Sequence, residues 1–466
     1  MAKKPIQKEY KITLLPRNST EYINSTSLEY SIYTLDRAIP SMIDGLKSAQ
    51  RKAMYIMSKI NGEKKTVAIG GDMIASNIYL HGDSSANSTL SLMASPVANN
   101  IPLIQGVGFF GSVVETEAAS PRYTYCKKNI NTEKLIYPDM NIVPMQDNYD
   151  GSTQEPTYFL PIIPTVLLNG VVGIAVGYKS TILPYTIKDI INNTLLAIDN
   201  KELKYMKPTF EGYGTNDKVE HNGEGKYTFS GKVDIIDSST VKVVGLPPNL
   251  GLEKFVEKLI KMEEDGKIRD HSNNSTDVVD LEIKLPRGVA AEWTEVDAIK
   301  YLGLTTSITQ SLVVLGSTGK VRTYGNDTNE LIKDFVKLRF KHYVRRYEKL
   351  LEDAMSELRY KLLIKECFDK DIPVKIKNFK NRADMTTSVK ELNEVIQASD
   401  VNVDTIVSFA SYRWTEEYYQ AVNEDINSIV ANIGEYENML QNENLIWDVY
   451  RAEVKDLSSV KFYTGR

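Results

Sequence analysis

The residues best suited to chemistry lie in Ala118-Ala119-Ser120-Pro121-Arg122-Tyr123-Thr124, a polar segment beyond a glycine-rich loop. A phenol is a weak nucleophile at neutral pH, because its ordinary pKa is about 10. A guanidinium beside it favours the phenolate and also stabilises charge on a phosphate under attack. Arg122 followed by Tyr123 therefore suits phosphotyrosine chemistry. An isolated Arg-Tyr pair is ordinary surface, so its weight comes from what surrounds it. Upstream stand Asp36-Arg37-Ala38-Ile39-Pro40, Asp44-Gly45-Leu46-Lys47-Ser48-Ala49-Gln50-Arg51-Lys52 and His81-Gly82-Asp83-Ser84. Downstream are Asp147-Asn148-Tyr149-Asp150-Gly151 and Ile163-Pro164-Thr165-Val166-Leu167-Leu168-Asn169-Gly170, running into Gly173-Ile174-Ala175-Val176-Gly177.

Other patterns point nowhere. Gly106-x-Gly108-x-x-Gly111 satisfies the dinucleotide expression but lacks a clear strand before it, a helix after it and a ribose-binding acid about 20 residues on. No Gly-x4-Gly-Lys-Ser/Thr occurs, so no ATPase is visible. The four histidines have no metal-ligand spacing with the two cysteines, and Asp369-x-Asp371 is a lone acidic pair. No metal site is expected.

The elements that must position Tyr123 begin with four short helices. Ser27 to Ala38 is stopped by Pro40, Ser48 caps a helix to about Ile60, and Thr66 to Leu80 and Asp83 to Ala94 follow, with Asp83 or Ser84 as cap. A hairpin of Phe109–Val114 and Tyr123–Lys127 completes a winged-helix layout. From Gly151 to Tyr324 short β-branched runs (232–236, 241–244, 278–284, 312–315) surround one helix, Leu252 to Asp265. From Asp327 the chain turns helical, to about Phe368, with Val389 to Ser399 as a shorter helix and Tyr412 to Val454 returning antiparallel. The fold class expected is α+β and multidomain: an arm over 1–25, a winged-helix DNA-binding domain over 26–150, an α/β domain over 151–325, and a long antiparallel coiled coil over 326–466. Val401, Val403, Ile406, Val407 and Phe409, at the far tip, would be an exposed apolar patch and hence a dimer contact.

Composition sets bounds. With 466 residues, 42% hydrophobic and 25% charged, the chain reads as an ordinary soluble protein of two to four domains. Two cysteines cannot build a disulfide framework, and no signal peptide is visible; a cytoplasmic, reducing compartment is expected. The apolar run Tyr158–Tyr178 is long enough to span a bilayer, but Pro161, Pro164, Gly170, Gly173 and Gly177 break it into buried strands and turns; no membrane contact is expected. The net charge is −5, yet residues 1–65 carry twelve Lys and Arg against six carboxylates, and residues 391–466 five against fourteen. A basic head and an acidic tail fit a protein that holds DNA at one end.

In order and spacing, the quoted set resembles the DNA breakage-reunion subunit of type IIA DNA topoisomerases, firmly from Leu28 to about Glu348 and more loosely beyond. The short chain and its divergent C-terminal half are most similar to the branch of that family carried by T-even bacteriophages. The resemblance implies that Tyr123 attacks a DNA phosphodiester and stays linked to the 5′ phosphate while a second duplex passes. It makes Arg122 a stabiliser of the phosphorane, Arg37 an activator supplied by the dimer mate, and His81 the second histidine of a His-Pro-His-Gly-Asp pattern whose first position is Tyr79 here. Lys47, Arg51 and Lys52 fall on phosphate-contacting positions, Ser84 and Ser88 on positions lining the drug pocket of the bacterial enzymes. Ile174 falls on an intercalating wedge, although as a residue it reads first as a core strand position. The glycine loop departs from the usual Gly-Gln-Gly-Asn-Phe-Gly at Val107 and Phe109. The implied domains include a tower-like α/β domain and a distal dimerisation gate. The implied partners are double-stranded DNA, a second copy of the chain, and a subunit that binds ATP and holds Mg²⁺, neither bound by this chain alone. Without a propeller-sized C-terminal domain, relaxation is expected rather than negative supercoiling, in a bacterial host cytoplasm if phage-encoded. The rival is a winged-helix architectural protein that has lost catalysis; a tyrosine recombinase lacks support, since its arginine and histidine constellation is not matched.

Overall fold

The computed structural model of the chain describes residues 18–215, 218–395 and 400–466. Most of the expected arm lies outside the described residues; Asn18 caps a helical stretch that starts at Ser19 and leads into α1 (Leu28–Ala38). Then come α2 (Ser48–Ser58), β1 (Lys64–Lys65), α3 (Thr66–Ala75), α4 (Asp83–Ala94), β2 (Gln105–Val107) and β3 (Tyr125–Lys127). The helices expected here are present, with shifted ends. Ser48 is the first helical residue and not the cap: the Gln50 side chain accepts from Lys47 N at 3.0 Å. Gly82, rather than Asp83 or Ser84, precedes the first turn of α4.

The expected hairpin is wrong in its first strand. Phe109–Val114 is loop, and β3 is the centre of a three-stranded antiparallel sheet between β1 and β2. The glycine loop is shaped by packing. A Cβ on Gly106 would overlap the Phe110 ring, and Gly108 and Gly111 adopt φ of 105° and 97°. Phe110 is thereby driven into the core, 4% exposed.

Val171–Ala175 (β4) and Tyr178–Ile182 (β5) form a hairpin closed by Val176 and Gly177. Of the Tyr158–Tyr178 run expected as buried strands and turns, Phe159 to Leu168 is buried but holds no strand, and the strands that follow leave Val172, Ile174 and Tyr178 exposed. Among the described residues no helix is long and apolar enough to cross a membrane. After α5 (Ile187–Ile198), a separate core forms. Helix α6 (Leu252–Glu264) buries Leu252, Phe255, Leu259 and Met262, at 3/4 spacing, with buried residues of α7 (Glu295–Leu302) and of an antiparallel sheet ordered 232–237, 240–245, 281–284, 270–273.

The Asp327 carboxylate caps α8 (Thr328–Asp369) by accepting from Asn329 N and Glu330 N at 2.9 and 3.0 Å. Its 42 residues span roughly 63 Å at 1.5 Å per residue. After α9 (Arg382–Val395), the return is two helices and not one. α10 (Glu416–Gln441) stops at Asn442, whose side chain caps α11 (Glu443–Leu457). The contacts Lys361–Asp425, Lys365–Tyr419 and Tyr347–Tyr436 run in opposite chain order, so α8 and α10 are antiparallel. The base of this pair joins the main core, where Trp447 stacks on Phe340 and Tyr450 on Tyr343.

The far tip corrects the expected dimer patch. Val403 and Ile406 are buried, and Val401, Val407 and Phe409 are half-buried, in a third core with Leu363, Ile364, Cys367 and Val422. They pack back onto their own helices. Among the described residues, the large apolar side chains left exposed at this end include instead Val374, Ile376, Val395 and Tyr412. The last four residues of the expected 389–399 helix lie outside the described residues.

Candidate functional site

Helix α3 begins directly against the Tyr123 turn. The first amides of a helix have no partner within it. Thr66 N and Val67 N, which open α3, donate to Thr124 O and Pro121 O at 3.0 and 3.1 Å. The buried hydroxyls of Thr66 and Thr124 lie 2.8 Å apart, and Tyr123 N closes the turn on Ser120 O at 2.9 Å. Backbone on both sides of Tyr123 is thus fixed while its ring projects outward, 73% exposed. Among the described residues its hydroxyl has no hydrogen-bond partner. Arg122, Ser84 and Ser88 line one cleft of about 580 Å³ beside this turn, together with Asn87 and Ser120.

Arg37 and His81 belong to a different cleft, of about 870 Å³. Arg37, in the last turn of α1, donates from Nη1 to Tyr33 Oη at 3.2 Å; Tyr33 Oη lies 3.1 Å from His81 Nε2. Tyr79 occupies the place of the missing first histidine. It is buried, its hydroxyl meets Ser85 Oγ at 2.7 Å, and its ring stands edge-on to His81 with centroids 5.3 Å apart. The substitution therefore supplies a wall that orients His81. Partial desolvation, then the charges of Arg37 and Lys52, hold the His81 pKa below its ordinary value, so the ring is neutral at neutral pH. The two clefts share no lining residue.

The three basic residues on α2 and its cap separate sharply. Arg51 is a correction to the sequence reading. Its guanidinium is buried, donating to both Asp44 oxygens at 2.7 and 3.1 Å and to Leu46 O at 3.0 Å, so it has no face for a phosphate. Asp44 in turn accepts from Leu46 N and Phe159 N, which completes a buried, satisfied pair. Lys52 is half-buried against Glu155 at 3.0 Å. Lys47 reaches across to Val172 O at 2.7 Å, with burial lowering its pKa, and so ties α2 to the β4–β5 hairpin.

That hairpin overturns the core reading of Ile174. Ile174 is 73% exposed, and its neighbours Val172 and Val176 are also exposed. A Cβ on Gly173 would overlap the Ala38 carbonyl, so one face of β4 is pressed onto the end of α1 while the other faces outward. An apolar row presented this way has the form of a wedge.

Sequence reading missed Tyr33, Tyr149 and the Thr66–Thr124 clamp. Tyr33 lies one helical turn before Arg37, a spacing that places both on one face. Tyr149 stands in the Asp147-Asn148-Tyr149-Asp150-Gly151 segment, but its edge-on contact with Tyr33 at 6.0 Å joins distant parts of the chain and has no local spacing to signal it. Among the described residues no group of three or more His, Cys, Asp or Glu side chains is placed to hold a metal ion.

Comparison with known proteins places this arrangement. The family profile for the A-type subunits of DNA gyrase and topoisomerase IV matches residues 37–455. The DNA topoisomerase medium subunit of Enterobacteria phage T4 is 28% identical over 463 residues, covering 96% of this chain and 99% of that protein. DNA topoisomerase 2-alpha of Gallus gallus and of Homo sapiens are each 30% identical over 347 residues, 71% of this chain. The chain spans 22% of the length of those two relatives. The crystal structure of the Plasmodium falciparum topoisomerase II DNA-binding, cleavage and re-ligation domain shares the fold, with a TM-score of 0.81 at 24% identity over 94% of this chain and 64% of that one. With the profile running over nearly all of its length, the chain belongs to the family of DNA gyrase and topoisomerase IV A-type subunits.

Proposed function

We propose that the chain is the DNA-cleaving and rejoining subunit of an ATP-dependent type II DNA topoisomerase, carried by a bacteriophage and acting in the host cytoplasm. The observation that carries this is Tyr123: a phenol 73% exposed, without a hydrogen-bond partner among the described residues, on a turn clamped to a helix start and next to Arg122. Tyr123 Oη attacks phosphorus, a P–O bond forms to the tyrosine, and the bond to the 3′ oxygen breaks. The phenol proton is released and the 3′ oxygen takes one up. The 5′-phosphotyrosyl bond conserves the phosphodiester energy, so reversal reseals the strand without ATP. Arg122 stabilises the charge that develops on the phosphorane.

Arg37 and His81 lie in the other cleft, and this supports a site completed by a second copy: each chain's Arg37 and His81 serve the partner's Tyr123. The winged-helix portion over 26–150 and Ile174 hold the cut duplex, with the wedge opening a base step. The tower-like segment flanks them, and the antiparallel coiled coil over 326–466 keeps the two copies joined. Its distal contact is assigned to Val374, Ile376, Val395 and Tyr412, apolar side chains exposed at that end among the described residues. Ser84 and Ser88 border the cleft where a drug of the bacterial type would sit. Mg²⁺ and ATP are assigned to the partner subunit, a reading supported by the lack of a Gly-x4-Gly-Lys-Ser/Thr run in the sequence and of a three-carboxylate cluster among the described residues.

The test is formation of a denaturant-resistant protein–DNA adduct with the partner subunit, Mg²⁺ and duplex DNA. Wild type forms it. Tyr123→Phe loses it and still binds DNA. A Tyr123→Phe protein that still cleaves covalently removes the assignment, and a wild type that binds but never forms an adduct favours the architectural alternative.

A further inference from the structure

Tyr33 has no role in the cleavage chemistry as set out above, yet its hydroxyl lies between two groups that do. A phenol hydroxyl has one proton to donate and two lone pairs to accept with. A guanidinium only donates, so Tyr33 Oη accepts from Arg37 Nη1 at 3.2 Å and keeps its own proton available. The one other side-chain polar atom at hydrogen-bond distance among the described residues is His81 Nε2, at 3.1 Å. The charges facing the imidazole are Arg37 from α1 and Lys52 from α2, with Glu29, Asp36, Asp147 and Glu155 on the same cleft. Glu155 is already paired to Lys52. Burial and the two cations keep the ring neutral at neutral pH, and a neutral imidazole has one accepting nitrogen. The nitrogen within reach of Tyr33 Oη is Nε2, and with Nδ1 protonated it is Nε2 that accepts the Tyr33 proton. The ring is held on its other side by Tyr79, and Tyr33 itself is held by Tyr149.

We infer that Tyr33 is a positioning residue whose hydroxyl fixes His81 as the Nδ1–H tautomer and couples it to Arg37, so that both present N–H donors to an oxygen of the attacked phosphate. The inference rests on the cleavage reading for its purpose, and its geometry stands apart from it. It assigns His81 as a hydrogen-bond donor. The Nε2 lone pair is occupied by Tyr33 and is not the base that takes the Tyr123 proton.

The tautomer is measurable without any activity. The chain has four histidines, so ¹⁵N-histidine labelling gives four rings, and His81→Gln identifies the one of interest. In wild type near pH 7.5, His81 is expected protonated at Nδ1 and bare at Nε2. Tyr33→Phe keeps the ring against Tyr149 and removes the proton. It is expected to release His81 to a Nε2–H or mixed population and to slow adduct formation by about tenfold, as for one lost hydrogen bond of about 1.4 kcal/mol. A wild-type His81 protonated at Nε2, or a tautomer unchanged in Tyr33→Phe, overturns the inference. If the tautomer behaves as expected but wild type forms no Tyr123 adduct, the tautomer assignment holds and the cleavage reading falls.

Discussion

Arg339 and Arg346 sit where α8 meets the main core, and Arg37 and Arg122 stand in open clefts. The first pair is enclosed. Arg339 is 1% exposed, donating to Asp139 at 2.5 Å and to Pro161 O at 3.0 Å, and Arg346 bridges Asp139 and Glu453. Tyr343 adds its hydroxyl to Glu453 at 2.5 Å. The second pair is exposed, and among the described residues neither forms a carboxylate ion pair. Taking a guanidinium out of water is tolerable only if carboxylates and carbonyls replace the water, and once they do it has little left to offer a ligand. A guanidinium left in a cleft with spare donors is suited to a phosphate. Arg51 belongs with the enclosed pair although its neighbours in sequence are basic, because Asp44 meets it inside the protein.

The largest effect should come from the enclosed cluster. Asp139→Asn suits the left-handed backbone there (φ 61°) but strips Arg339 of its counter-charge. A loss of about 3–5 kcal/mol in denaturant unfolding is expected. Arg122→Ala should change stability by no more than about 0.5 kcal/mol while reducing cleavage. Equal stability losses in the two variants would erase the distinction between the clusters.

A pH effect should follow from His342, which packs edge-on against Tyr158 beside the same cluster. Burial first, then the Arg339 charge, pushes its pKa down to about 4, with Asp139 opposing. The unfolded chain takes up the proton at its ordinary pKa near 6.5, before the folded one does, so stability should fall as pH drops from about 6.5 to 4. The contribution is at most about 3 kcal/mol. His342→Gln should flatten this window relative to wild type in unfolding midpoints measured across it; an unchanged slope would place the ring in solvent.

The smallest effects belong to Lys47 and Lys52, on the cap and first turns of α2. Lys47→Ala and Lys52→Ala should each reduce the slope of log affinity against log salt by roughly 0.9, as expected where the wild-type ammonium leaves Val172 O or Glu155 to meet a DNA phosphate. Arg51→Ala should instead lower stability. A slope change in Arg51→Ala without a stability change would put that guanidinium on the DNA.

Much of this was legible in the residues. Arg122-Tyr123, the His81-Gly82-Asp83 step and the order of glycine-rich segments identify the family, and the Asp327 cap follows local rules of helix entry. What was not legible depends on contacts between distant residues. Ile174 has an apolar neighbour on each side of Gly173-Ile174-Ala175, so its run looks like core; only the packing of Gly173 on Ala38 shows which face points out. Val403 and Ile406 look like a surface patch until Leu363 and Ile364, about forty residues earlier, are found covering them. The break at Asn442 is a single capping choice inside an otherwise helical pattern.

The claim that each Tyr123 works with the partner's Arg37 is tested most directly by mixed dimers. Tyr123→Phe and Arg37→Ala proteins are each made alone, shown to be defective, then combined in one complex with the partner subunit, Mg²⁺ and DNA. In the mixed dimer the Arg37→Ala chain keeps its Tyr123 and faces the intact Arg37 of the other chain, so one competent site is restored. Single-strand cleavage with a covalent adduct on the Arg37→Ala chain is the expected result. Mixed dimers that remain as inactive as either parent would contradict it.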